Sequence, residues 1–338
     1  MNITRKKLGD AVTENIISTE QADALFAFFQ TQSQDAPKFS ATHVLYYLGG
    51  CIAIAAMTLF MSLGWESLGG AGIVLISLVY AAIGLKCTNI LSAKRLNVPA
   101  GICATFVVCL TPLALYGLQQ WLGVWPARDV YQAPNWHWIF IEVGTLIVGA
   151  ILAWKYKYPF LIMPIAITFW HLVADSAGIL LGVQFRWGFS ELLSLYTGLF
   201  LIGVAFLVDV KSRHNADYGF WVYMVGALAF WAGLTLQVFD SGLSNFIYFS
   251  INVLMIGLGV LLVRRVFVVL GALGSFGYLS YLAFDVFSES WLFPVALTSI
   301  GLGIIYLGIV WQKHEKNMAK KLRLLLPESF RELLEVRS

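Results

Sequence analysis

The sequence predicts an all-α fold, namely a polytopic transmembrane helical bundle of about ten spans, and three observations support it. Hydrophobic residues make up 59% of the 338 residues, and charged residues only 12%. The apolar runs are about 20 residues long, which is the length that a membrane-spanning helix needs. Of the 22 Lys and Arg residues, all except Arg128 and Arg186 lie in alternate gaps between these runs. Because short cytoplasmic loops carry an excess of Lys and Arg, we expect both termini in the cytoplasm.

The predicted spans follow the apolar runs in order, at 42–62, 69–86, 98–118, 136–154, 158–175, 189–210, 217–239, 243–263, 266–287 and 291–311. We predict helices because a strand of a membrane barrel would show alternation over only about 10 residues. The turns predicted to be cytoplasmic carry basic residues, among them Lys94, Lys157, Lys211 and Arg264. Tryptophans mark the ends of many spans, as they do at the two membrane–water interfaces.

We divide the chain into a cytoplasmic N-terminal helical pair at 1–38, a ten-span bundle at 39–312 and a cytoplasmic amphipathic basic helix at 313–338. In the first region, Ser18 and Gln21 have the spacing of a capping box at the start of a helix. The first apolar run begins near Thr42, too far along the chain for a cleavable signal peptide, so we expect the first span to be retained. The last region is predicted either to lie on the inner leaflet or to bind a partner protein.

The fourth and sixth spans share a motif with identical spacing, Trp138, Phe140, Glu142, Thr145 and Gly149 in one and Trp187, Phe189, Glu191, Ser194 and Gly198 in the other. A repeat of two spans preserves orientation, so the match predicts parallel helical hairpin repeats. The alternative is that aromatic residues and glycines recur at such positions in any polytopic protein.

Ionisable residues inside spans are the candidates for a functional site, because a charge within a bilayer is costly. Glu142, His171, Asp175 and Glu191 lie in the outer halves of three consecutive spans. Thr168 shares one side of its helix with His171 and Asp175, at spacings i, i+3 and i+7. We therefore predict an outward-facing polar pocket lined by these five residues.

Such a pocket predicts binding or transport of a small solute or cation. A histidine between carboxylates titrates near neutral pH, and two carboxylates in a low dielectric tend to hold one proton between them, so proton-coupled uptake is one form of this function. In a structural alternative, Glu142 and Glu191 only form hydrogen bonds within the bundle or reach water at the surface. The rival function is a non-catalytic membrane scaffold that recruits partner proteins through its cytoplasmic tails.

Enzyme motifs and metal-binding spacings are absent from the sequence, which contains no Walker motif, HExxH or GxSxG and no zinc-type spacing of His and Cys. We therefore expect no catalytic residues, no bound metal and no cofactor. His171 and Asp175 at i, i+4 could supply only part of a metal site. The expected partners are the lipid bilayer, a small solute or cation and a protein at the tails, but no nucleic acid.

The segment Ile17-Ser18-Thr19-Glu20-Gln21-Ala22, directly before a multi-span region, resembles bacterial predicted integral membrane proteins of the domain-of-unknown-function 2157 family. This resemblance implies a multi-pass protein of the bacterial cytoplasmic (inner) membrane, and it brings no reaction or site residues. The size and number of spans are also similar to those of drug and metabolite exporters. The parallel repeat and the long polar N-terminus argue against that second resemblance.

Overall fold

A computed structural model of the protein describes residues 8, 12–14, 16–32, 41–125, 136–180, 189–211, 218–237, 242–262, 264–282, 294–295, 298–299, 301–302 and 306. The main helices are α1 Thr19–Gln32, α2 Ala41–Ala93, α3 Asn97–Trp121, α4 Trp136–Tyr156, α5 Ile162–Leu180, α6 Phe189–Lys211, α7 Tyr218–Thr235, α8 Gly242–Leu261 and α9 Arg265–Tyr281. A short 3₁₀ turn, Pro159–Leu161, precedes α5. The described residues contain helices and no strand, so the predicted all-α fold class is confirmed for them.

Seven stretches of helix in the described chain are long and apolar enough to cross a membrane. Their outward faces are apolar as well: Ile151 and Leu254, for example, are 57% and 66% exposed. A water-soluble protein seldom exposes so much apolar side-chain surface, whereas lipid accepts it. The structure therefore indicates a membrane-embedded protein.

The long helix α2 consists of two halves that run antiparallel. Gly69, with φ 60° and ψ 177°, has a non-helical backbone, and glycine tolerates a positive φ because it lacks a Cβ. Gly50 in the first half packs against Ile102 of α3, while Gly84 in the second half packs against Val107 of the same helix. A continuous helix from 50 to 84 would extend about 51 Å and could not contact two neighbouring turns of α3. The chain therefore reverses between the two contacts, as the first two predicted spans require.

The predicted number of ten spans stays a prediction. The apolar helices Val44–Met57 and Arg265–Tyr281 are shorter than the other seven. Most of the predicted tenth span, 291–311, and all of the predicted C-terminal helix, 313–338, lie outside the described residues.

The helix α7 is the most buried of the seven long apolar helices. Its side chains Tyr223 and Val225 are 1% and 2% exposed, and they pack in one core cluster with Leu201 of α6, Met255 of α8 and Phe267 of α9. The hairpins α6–α7 and α8–α9 therefore share one core.

Polar contacts join several basic turns at one end of the bundle, which we call the basic end. The Tyr156 hydroxyl at the end of α4 donates to Asn89 Oδ1 near the end of α2, at 2.9 Å. The Tyr218 hydroxyl at the start of α7 donates to the Lys157 carbonyl oxygen, at 2.6 Å. Arg264, between α8 and α9, is bound to α6 near the same turns, as described below. The basic turns that the sequence predicts on one side of the membrane thus lie at the same end of the bundle.

The predicted capping box at the start of α1 is confirmed. The Ser18 backbone N–H donates to Gln21 Oε1 at 3.0 Å, and the Gln21 backbone N–H donates to Ser18 Oγ at 3.2 Å. This reciprocal pair satisfies two N–H groups that have no partner within the helix. The finding concerns only the start of the helix, and a scaffold function for the tails stays a prediction.

Candidate functional site

Glu142 lies on the inward-facing side of α4, at the end of the bundle opposite the basic end. It follows Trp136, the first residue of α4, by six residues or about 9 Å along the helix. Only 7% of Glu142 is exposed. Its carboxyl group is within hydrogen-bonding reach of the Asp175 carboxyl group on α5. In a hydrogen bond between two carboxyl groups, one group donates and the other accepts, so the pair offers a place for one proton.

The packing of α4 against α5 explains why these two carboxyl groups meet. The two helices are joined by the short turn that contains Pro159–Leu161, so they run antiparallel. Gly149 of α4 packs directly against the Ile165 side chain of α5, which sets the register between the helices. Glu142 and Asp175 lie nearly equally far along the chain from the turn, on either side of it. The register therefore places both carboxyl groups at the same level of the bundle.

Two buried oxygen atoms near this pair have no hydrogen-bond partner among the described residues, Glu142 Oε2 and Gln119 Oε1. The Gln119 side chain lies at the end of α3, and its Nε2 donates to the His137 carbonyl oxygen at 3.0 Å. Because the amide nitrogen is engaged there, the amide oxygen is held in a fixed direction. Both oxygens are hydrogen-bond acceptors, so a partner for either of them must be a donor or a cation.

Aromatic rings cluster at the same end of the bundle as the carboxyl pair. The Trp125 ring centroid is 4.4 Å from that of Tyr116, 4.6 Å from that of His137 and 5.5 Å from that of Trp138. We call these four rings the aromatic cluster. His137 connects it to the carboxyl pair, because its imidazole is within electrostatic range of Asp175.

The remaining residues predicted for the pocket occupy different positions. Thr168 is half-buried and His171 is exposed, with its ring beside that of Trp170 at 5.7 Å. Glu191 is buried at 5% exposure on α6, where its backbone carbonyl lies close to Gly233 of α7. The structure thus brings Glu142 and Asp175 into contact, while Glu191 packs in a different helix pair.

The sequence-based selection missed Gln119 and His137. It was restricted to ionisable residues well inside the apolar runs, whereas Gln119 is uncharged and His137 lies at the start of a span. Trp136 and Trp138, on either side of His137, fit the general pattern of tryptophans at span ends, so the pattern does not single out the histidine. A polar residue next to an interfacial tryptophan was the signal that could have drawn attention to this end of the bundle.

A second buried polar cluster lies at the basic end and was also missed. Arg264 Nη2 binds both carboxylate oxygens of Asp209, at 3.2 and 3.0 Å, and the two side chains are 6% and 7% exposed. The guanidinium carbon of Arg264 lies 5.0 Å from the centroid of the Tyr223 ring. Asp209 met the criterion that selected Glu142, since it is an acidic residue in an apolar run. Arg264 was interpreted only as a charge that sets topology.

The chemistry available at Glu142 and Asp175 is the binding of a proton or a cation. Within the described part of the chain, no three His, Cys, Asp or Glu side chains lie close enough together to hold a metal ion. Comparisons of the chain with protein-family models, with curated proteins and with solved structures find no match. The function must therefore be argued from the site itself, and the resemblance to the domain-of-unknown-function 2157 family stays a prediction.

Proposed function

We propose that this chain is a multi-pass protein of the bacterial cytoplasmic membrane that binds a small solute or cation from the outer aqueous phase at Glu142 and Asp175. The observation that carries the proposal is the contact between these two carboxyl groups, one of which is almost fully buried. A carboxyl group at such a depth is costly, and most such groups in membrane proteins lie on ion or proton pathways.

The proposed reaction is an exchange. In the empty site the two carboxyl groups hold one proton between them, which lowers the charge that the bilayer must accommodate. A cation that enters the site takes over this role, and the proton is released to the outer solution. Binding is therefore coupled to proton release, and the same exchange would support proton-coupled movement of the ligand across the membrane.

The first test measures proton release by purified protein in weakly buffered detergent solution, using a pH-indicator dye. We expect addition of Na⁺, K⁺ or alkylammonium chloride to wild-type protein to release up to about one proton per chain, since two carboxyl groups share one. We expect Glu142→Gln to abolish the release, because the amide that replaces the buried carboxyl group has no proton to exchange. Asp175→Asn should weaken cation binding, because it removes one of the two carboxyl groups.

The matched control is Glu20→Gln, which makes the same chemical change at an exposed position in α1. It should release protons as the wild type does. Gel filtration and circular dichroism show whether each variant is folded. A folded Glu142→Gln protein with normal proton release would reject the proposed site. Glu191→Gln is informative as well, because reduced release would extend the site to the wider pocket predicted from the sequence.

The proposal includes an orientation with both termini in the cytoplasm. The helix α3 has 25 residues and is about 37 Å long, which is enough to span a hydrocarbon core of about 30 Å. Its two ends should therefore lie on opposite sides of the membrane.

Thiol labelling in intact cells tests this orientation. In a background without the four native cysteines, an impermeant maleimide should modify Leu122→Cys, just after α3, and should leave Lys94→Cys, just before it, unmodified. Both positions are exposed. Lysed cells provide the control, since both cysteines should then react. Labelling of Lys94→Cys in intact cells would reverse the orientation, and with it the side from which the ligand enters.

A further inference from the structure

We infer that the ligand bound at Glu142 is an organic cation with N–H donors, such as an alkylammonium or guanidinium group, rather than a metal ion. This inference rests on the proposed function and specifies the ligand of the same site. It is carried by three features at one end of α3, α4 and α5: unpartnered acceptors, the small number of metal ligands among the described residues and the neighbouring aromatic rings.

The first feature is the chemical kind of the unsatisfied atoms. Glu142 Oε2 and Gln119 Oε1 are both oxygens, and neither finds a hydrogen-bond partner in the described chain. A buried acceptor without a partner loses free energy relative to one that is solvated, so the site favours a ligand that donates hydrogen bonds. An anion or a ligand with acceptors alone would leave both oxygens unsatisfied.

The second feature is the small set of ligands that this end of the bundle offers to a metal ion. Gln119 is bound to the carbonyl of His137, and Glu142 follows His137 by five residues, or about 7.5 Å along α4. Among the described residues, no three His, Cys, Asp or Glu side chains lie close enough together to hold a metal ion, whereas Ca²⁺, for example, takes six to eight oxygen ligands. An organic cation needs only acceptors for its N–H groups, and the Glu142 and Gln119 oxygens are acceptors.

The third feature is the aromatic cluster. Trp125 is contacted by three other rings, and His137 brings the cluster within electrostatic range of Asp175. Aromatic rings attract organic cations and also pack against their apolar carbon atoms, whereas a hydrated alkali-metal ion gains less from them. The carboxyl pair supplies the charge, and the rings supply the apolar surface.

The experiment compares four probes on the full-length purified protein at constant ionic strength: n-butylammonium, methylguanidinium, tetramethylammonium and Na⁺. Saturable increases in the thermal unfolding temperature and in proton release report binding. We expect n-butylammonium and methylguanidinium to bind at least about tenfold more tightly than the other two. Tetramethylammonium is the matched probe, because it has the same charge and apolar carbon atoms but no N–H donor.

Variants then test each feature separately. Gln119→Met keeps the side-chain length but removes the Oε1 acceptor together with the Nε2 donor that binds the His137 carbonyl oxygen, and Trp125→Leu removes the central ring. Each should weaken binding of n-butylammonium by about threefold to thirtyfold while proton release at saturation persists. Trp121→Leu is the control for the loss of a tryptophan. Trp121 is the last residue of α3, four residues before Trp125, but it is 63% exposed.

The possible results separate the inference from the proposed function. If Na⁺ or tetramethylammonium binds as tightly as n-butylammonium, with proton release that requires Glu142, the inference is wrong and the proposed function stands. Wild-type binding of n-butylammonium by both Gln119→Met and Trp125→Leu would likewise overturn the inference. If no probe binds or releases protons, both fail.

Discussion

Replacing Arg264 with methionine is expected to lower the free energy of unfolding by about 3–5 kcal/mol, because it leaves the buried carboxylate of Asp209 without its partner. The guanidinium group binds both oxygens of this carboxylate, and water has little access to either side chain. Asp209→Asn should have a similar effect by leaving the buried guanidinium group unpaired. Unfolding by sodium dodecyl sulfate in bicelles, followed by circular dichroism, measures both changes.

The double variant Asp209→Asn/Arg264→Met distinguishes a specific pair from two independent losses. With no charge left at the site, most of the destabilisation should be recovered, because a buried ion pair contributes far less than the removal of one partner costs. The matched control is Arg265→Met, since Arg265 is the next residue and is exposed. Strictly additive losses in the double variant, or equal losses for Arg264→Met and Arg265→Met, would show that the pair is not coupled in the folded protein.

Gly198→Ala is expected to destabilise the hairpin of α6 and α7 by about 1–3 kcal/mol or more. An added Cβ would lie 2.6 Å from the Cα of Phe230 and 2.7 Å from the carbonyl oxygen of Gly226. These are backbone atoms of α7, so no side chain can rotate to make room and the helices must move apart. The same unfolding measurement in bicelles detects the loss.

Gly203→Ala is the matched control for this substitution. Gly203 lies on the same helix but is exposed, and its added Cβ would meet no atom within 4 Å. Alanine has a higher helix propensity than glycine, so this variant should be neutral or slightly more stable. The interpretation of Gly198 as a helix contact would be wrong if the two variants had equal stability.

The candidate site was predicted from the sequence only in part. Glu142 and Asp175 are selected from the sequence because an ionisable residue stands out in an apolar run, and the structure shows that Glu142 is buried and Asp175 half-buried. Their contact with each other, and the separate packing of Glu191, could not be predicted. Which residues meet depends on the rotation of each helix about its axis and on its register with its neighbours, and the register of α4 on α5 depends on contacts such as that of Gly149 with Ile165.

The same limit explains why Asp209 and Arg264 were missed as a pair. They are far apart in the chain and belong to different hairpins. The basic turn at 264–265 satisfied the rule for cytoplasmic loops, so nothing in the sequence distinguished the buried Arg264 from the exposed Arg265. Only the packing of α6, α7 and α9 around Tyr223 shows that Arg264 is buried while Arg265 is exposed.

The sequence by itself determined that the chain is helical, that it is embedded in lipid and that its basic turns belong together, because hydropathy and charge act on each segment through the solvent that surrounds it. The tertiary structure alone decided which side chains are partners: Glu142 with Asp175, Asp209 with Arg264, and Gly198 with the backbone of α7. Partnership depends on distances of a few ångströms between helices, and those distances result from packing along whole helix faces rather than from any one segment.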